Sequence, residues 1–123
     1  MSKILVIEDD VQFRAMLTQM LAQDKHQVSE ASSGDEGLRM FAANPPDLLI
    51  TDILMPGGKD GIDVIRAVSE SGRNVPVIAI SGGRRSIKAE FNLDSAKLMG
   101  VKVTLPKPFT RETLRAAIKT ALA

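Results

Sequence analysis

Cysteine, tryptophan and tyrosine are all missing from this 123-residue chain, and four phenylalanines are its only aromatic residues. Without thiols there can be no disulfide and no thiolate metal site, and a reducing compartment is permitted. With so few rings, the core has to be built from Ile, Leu, Val, Met and Ala. Neither sign of charge dominates: sixteen basic against fifteen acidic residues give a formal net charge of +1. That balance lacks the basic footprint of a nucleic-acid binder. Long apolar runs are absent too. The N-terminal run Ile4 to Ile7 meets acidic residues after four positions, so it reads as neither a signal peptide nor a membrane span. The expectation is a cytoplasmic protein with no nucleic-acid and no membrane partner. The one histidine, His26, has no companion for metal or triad chemistry and is expected near the start of a strand, exposed to solvent.

What is present is alternation. Short Ile/Leu/Val runs at Ile4–Ile7, Leu48–Ile50, Val77–Ile80 and Val101–Leu105, with a weaker one around Val28, are separated by helical patterns. Phe13, Leu17 and Leu21 share one helical stripe, and Leu38 with Phe41, Ile62 with Ile65 and Val68, and Leu114 with Ala117, Ile118 and Ala121 mark others. Nearly continuous apolar strands suit a parallel sheet covered on both faces. Ser33 with Glu36 reads as a capping box, Pro45-Pro46 as a helix stop and Thr110 as an N-cap. A further helix is expected between Arg84 and Gly100, after a loop from Ser81 to Ser86. The fold expected is α/β, doubly wound, five β-α units in one domain spanning residues 1–123.

Ligands of open α/β sheets bind beyond the carboxyl ends of the strands. Glu8-Asp9-Asp10 follows the first strand, Asp52 ends the third, Ser81-Gly82-Gly83 follows the fourth, and Lys107-Pro108 follows the fifth. Carboxylates gathered at one rim repel, by roughly 3 kcal/mol for two charges about 5 Å apart at an effective dielectric near 20. A hard divalent cation relieves this, and Mg²⁺ favours one or two carboxylates plus water and phosphate oxygens. Asp9, Asp10 and Asp52 suit that demand. Ser81 and Lys107 could then donate to a metal-bound phosphoryl group, and Asp52 is the natural nucleophile.

Taken together, the acidic pair, the Asp52 that precedes Met55-Pro56-Gly57, the hydroxyl of Ser81 and Lys107-Pro108-Phe109 resemble the response-regulator receiver family over the whole chain. The resemblance implies a flavodoxin-like sheet in order 2-1-3-4-5. It implies that Asp52 accepts a phosphoryl group from a histidine kinase or histidine phosphotransfer protein. Asp10, Asp52 and the carbonyl of Leu54 would hold Mg²⁺, and Asp9 would reach it through water. Lys107 would pair with the phosphoryl group, Ser81 would act as the switch hydroxyl, and Pro108 would follow a cis peptide. The expected protein is a stand-alone regulator, monomeric or weakly dimeric, acting on a downstream protein. Its only catalysis would be its own phosphorylation and dephosphorylation.

Some positions depart from the family pattern. Thr104 stands three residues before the lysine, where the family usually carries an aromatic ring, so the output is expected to travel through the Gly82–Lys88 loop instead. Leu54 and Gly83 offer no side-chain help to a hydrolytic water, which implies slow self-dephosphorylation. A mildly basic docking patch is expected from Lys88, Lys97, Lys102, Arg111, Arg115 and Lys119. Rival functions fit less well. An aspartate-nucleophile phosphatase tends to carry its nucleophile after the first strand and needs a cap, and a nucleotide-binding sheet needs a glycine-rich first turn.

Overall fold

A computed structural model describes residues 2–53, 55, 60–81 and 99–123, with the side chain of Ser81 outside that set. Expectations that fall on Leu54, Gly83, the Gly82–Lys88 loop and the helix before Gly100 therefore lie outside the described residues, as do Lys88 and Lys97. The elements run β1 (Lys3–Ile7), α1 (Val11–Gln23), β2 (Gln27–Ala31), α2 (Gly34–Ala43), β3 (Leu48–Asp52), α3 (Gly61–Glu70), β4 (Val77–Ser81), β5 (Val101–Pro106) and α4 (Arg111–Leu122). The strands form one sheet in the order β2-β1-β3-β4-β5. Every neighbouring pair is parallel.

Strand periodicity divides the core in two, because successive side chains point to opposite faces. Leu5, Ile7, Leu49, Val77 and Ala79 meet Phe41 of α2 and Ile62, Val64, Ile65 and Val68 of α3. Ile4, Val6, Leu48, Ile50, Ile78, Ile80 and Leu105 meet Leu17 and Leu21 of α1 and Leu114, Ala117 and Ile118 of α4. Each such Val, Leu, Ile or Phe side chain, fully buried, contributes about 1.5–3 kcal/mol. Phe41 is the one ring among these buried residues, so the core is aliphatic as the composition requires.

The register keeps the carboxyl ends of β1, β3, β4 and β5 level: Ile7 lies beside Thr51, Asp52 beside Ile80, and Ser81 beside Pro106. A shift between Val77 and Ile78 passes over Lys102, pairing Ile78 with Val103. Lys102 is exposed, while Val103 and Leu105 turn to the α1/α4 face.

Helix starts follow their caps. Thr110 accepts from the Thr113 N–H at 3.1 Å. Asp60 and Asp63 form a reciprocal capping box on α3. The box expected on α2 is only half made. Ser33 Oγ accepts from the Glu36 N–H at 3.2 Å, but the Glu36 carboxylate turns to the Ser32 N–H at 2.7 Å. His26 is half-buried rather than exposed, because its Nδ1 accepts the Ser2 N–H at 3.2 Å. Among the described residues no helix is long and apolar enough to cross a membrane.

Candidate phosphoacceptor site

The sheet's period-two alternation builds the site. On β1 the residues facing α1 and α4 are Ile4 and Val6, and the next in that series is Glu8. On β3 they are Leu48 and Ile50, followed by Asp52, and on β5 Val103 and Leu105, followed by Lys107. Three apolar columns thus end, at one rim, in two carboxylates and an ammonium. The Glu8 N–H still bonds to Ala31 O at 3.0 Å, so the backbone holds this residue as firmly as a strand residue.

Lys107 Nζ lies 2.8 Å from Asp52 Oδ2 and 2.7 Å from Glu8 Oε1. Carboxylate oxygens of Glu8, Asp9 and Asp52 all fall within 4.8 Å of one another. Glu8 is fully buried and Asp52 nearly so, whereas Asp9 is exposed. Burial pushes the Glu8 carboxyl up to about 7, against the pull of Lys107 and with help from the Asp52 charge. Burial works against the Lys107 ammonium, but its hydrogen bonds to Asp52 and Glu8 outweigh that and raise its pKa. The amine therefore stays charged at neutral pH. Lys107-Pro108 is a cis peptide, as expected.

The chain around the site is closely fitted. Arg14 donates from Nη1 to the Glu8 carbonyl at 2.7 Å and pairs with Glu30 at 3.3 Å. Gly61 opens α3 directly behind Asp52, its N–H bonded to Ile53 O at 2.8 Å. A Cβ there would stand 1.8 Å from the Asp52 carbonyl oxygen.

Of the residues expected at the site, Asp9, Asp52 and Lys107 are brought together. Asp10 is not. Its Oδ1 accepts the N–H groups of Gln12 and Phe13 at 3.0 and 3.1 Å as the N-cap of α1, and it is absent from the acidic cluster. Glu8 takes the place expected of Asp10. Ser81 ends β4 at the same rim.

The model of the response regulator receiver domain matches residues 4–119, nearly the whole chain. This chain belongs to the response-regulator receiver family. Receiver domains serve two-component systems, in which they interact with histidine kinases or phosphotransfer proteins and with downstream targets. They are generally signalling domains rather than enzymes, and they bind Mg²⁺ at an acidic site.

Response regulator MprA of Mycobacterium ulcerans (strain Agy99) is 32% identical over 120 residues, covering 98% of this chain and 50% of its own length. The receiver thus spans about half the length of the curated relatives it matches. A receiver domain protein from Clostridium thermocellum superposes with TM-score 0.84 at 33% identity, covering 99% of this chain and 94% of the other. Chemotaxis protein CheY4 of Vibrio cholerae gives TM-score 0.85 at 26% identity, covering 99% of both chains.

The choice of Glu8 over Asp10 was open to a strand-parity reading. Ile4, Val6 and Glu8 alternate in phase with Leu48, Ile50 and Asp52, which places Glu8 beside Asp52 before any coordinate is known. Asp10, two residues further on, lies where the helix starts and its carboxylate is taken by the backbone.

Proposed function

We propose that this receiver carries a transient phosphoryl group on Asp52, taken from a phosphohistidine of a histidine kinase or phosphotransfer protein in the presence of Mg²⁺, and that the change alters its affinity for a downstream protein. The observation that carries the reading is the Lys107 ammonium, seated 2.8 Å from the Asp52 carboxylate at a rim that also holds Glu8 and Asp9.

The donor set fits a hard divalent cation. Three carboxylates share the rim with one ammonium, and the Glu8 pKa is raised first by burial and then by the neighbouring Asp52 charge. Asp9, Asp52 and the Leu54 carbonyl would hold the ion, with Glu8 beside them, and Asp10, first given a direct bond to it, stays with the α1 cap. Bound there, Mg²⁺ supplies charge neutralisation for the carboxylates and for an incoming phosphoryl group.

Asp52 supplies the nucleophile. A carboxylate oxygen forms the new bond to phosphorus while the phosphorus–nitrogen bond of the donor breaks, and the electron pair leaves with the imidazole. Lys107, kept charged by its carboxylate partners, is within reach of a phosphoryl oxygen on Asp52 and can exchange one anion for another. Ser81 would donate its hydroxyl to a second oxygen.

Acetyl phosphate with Mg²⁺ should add one phosphoryl group to the wild type, read by intact-mass spectrometry, and none to Asp52→Asn. Stoichiometric labelling of that variant would place the acceptor elsewhere.

A further inference from the structure

Lys107 touches a third group besides its two carboxylates. Its Nζ lies 4.3 Å from the centroid of the Phe13 ring, within the range of a cation–π contact. The edge of Phe109 meets the same ring, with centroids 5.6 Å apart and planes at 87°. Phe13 is the third residue of α1, and its N–H bonds to Asp10 Oδ1 at 3.1 Å. The cap that removes Asp10 from the acidic cluster therefore also fixes the ring that faces Lys107.

We propose that Phe13 is a positioning residue for Lys107, holding the ammonium against the Asp52 carboxylate and then against the phosphoryl group. The proposal rests on the reading of Asp52 as phosphoacceptor. A lysine ammonium is a point charge on a flexible stem, and freezing that stem costs side-chain entropy. Two carboxylates attract it but leave a range of positions open. A ring face on a third side narrows that range and excludes water from part of the ammonium's shell, which strengthens its remaining electrostatic contacts. The contact has little directional demand, so the ammonium can shift from Asp52 to a phosphoryl oxygen without leaving the ring. Phe109 backs the ring from the segment that carries Lys107 itself. Thr104 contributes no ring from β5, so among the described residues the aromatic support of this lysine comes from α1 and Phe109.

The decisive readout needs no phosphate. Methylene protons next to an ammonium above a ring face resonate upfield, so the Lys107 Hε signals of the wild type should be shifted upfield and should return to ordinary values in Phe13→Leu. Phe13→Leu keeps an apolar side chain and removes the ring. It should label from acetyl phosphate about three- to fivefold more slowly. Its Mg²⁺ affinity should match the wild type, and Phe13→Tyr should restore both rate and shift. Unshifted Lys107 signals in the wild type would overturn the proposal, as would wild-type labelling by Phe13→Leu. A slow Phe13→Leu variant whose Mg²⁺ affinity has also fallen would overturn it too, because the loss would then belong to the whole rim. A wild type that takes no phosphoryl group would remove the Asp52 reading and Phe13's role in the reaction with it. The Hε shift, read on folded wild type without donor, would still decide whether Phe13 holds the ammonium.

Discussion

Glu8 is the side chain on which the electrostatics of the rim turn. In the unfolded chain its carboxyl titrates near the ordinary 4.5, while in the fold burial and Asp52 keep the proton on to about 7. The folded state therefore binds this proton more tightly. The stability that follows is complete below pH 4.5 and is lost as pH rises through 7. Urea unfolding in the presence of chelator should show stability falling by on the order of 2 kcal/mol between about pH 5 and about pH 8. Glu8→Gln should flatten that slope, and a slope that survives the substitution would assign it to another group. Asp10 gives the matching contrast. Asn caps a helix as well as Asp does, so Asp10→Asn should leave both stability and Mg²⁺ affinity close to wild type. A tenfold loss of Mg²⁺ affinity, measured by titration calorimetry, would return Asp10 to the metal site.

Among the elements, α3 is placed by a close backbone approach and α4 by ion pairs to α1. Gly61 lets the first turn of α3 rest on the backbone that carries Asp52, with no room for a methyl group. Gly61→Ala should cost about 2–4 kcal/mol and slow the labelling of Asp52, because α3 and the end of β3 cannot both keep their places. Wild-type melting of that variant would mean that the helix start shifts freely. Gly37 is also close to its neighbour, but there a Cβ meets side-chain atoms of Ile7, Cδ1 at 2.2 Å and Cγ1 at 2.6 Å, rather than backbone. On α4, Arg111 and Arg115 both pair with Asp24 at the end of α1, at 2.5 and 3.6 Å. The Arg111 hydrogen bond holds the Asp24 carboxyl below its usual range. Of the basic patch expected from sequence, these two arginines thus spend part of their charge within the fold, although Arg115 stays exposed, as do Lys102 and Lys119.

Across the whole molecule the sheet acts as a frame that levels separate strand ends, so a cation bound at the rim ties β1 to β3. Such a site exists only in the folded chain, and binding should raise stability by mass action. At about tenfold the dissociation constant, Mg²⁺ should add roughly 1.4 kcal/mol, a rise of several degrees in the melting temperature, and Asp52→Asn should lose most of it. An equal shift in that variant would locate the ion elsewhere.

Periodicity alone determined the α/β class and the five strands, because burial imposes a local spacing of two or 3.6 residues on any such chain. Residue type at the helix starts marked the N-caps at Ser33 and Thr110, and the carboxyl ends of the strands marked the rim. The motif set led correctly to the receiver family and the order 2-1-3-4-5. Strand parity already points to Glu8 as the acid beside Asp52, but tertiary structure decided that the Glu8 and Asp52 carboxylates share the Lys107 ammonium, and where the Glu36 carboxylate goes. It also decided that the Phe13 ring, backed by Phe109, faces the Lys107 ammonium. These outcomes depend on how three strand ends and one helix start meet in space, on who competes for each carboxylate there, and on nothing carried by the nearest neighbours in the chain.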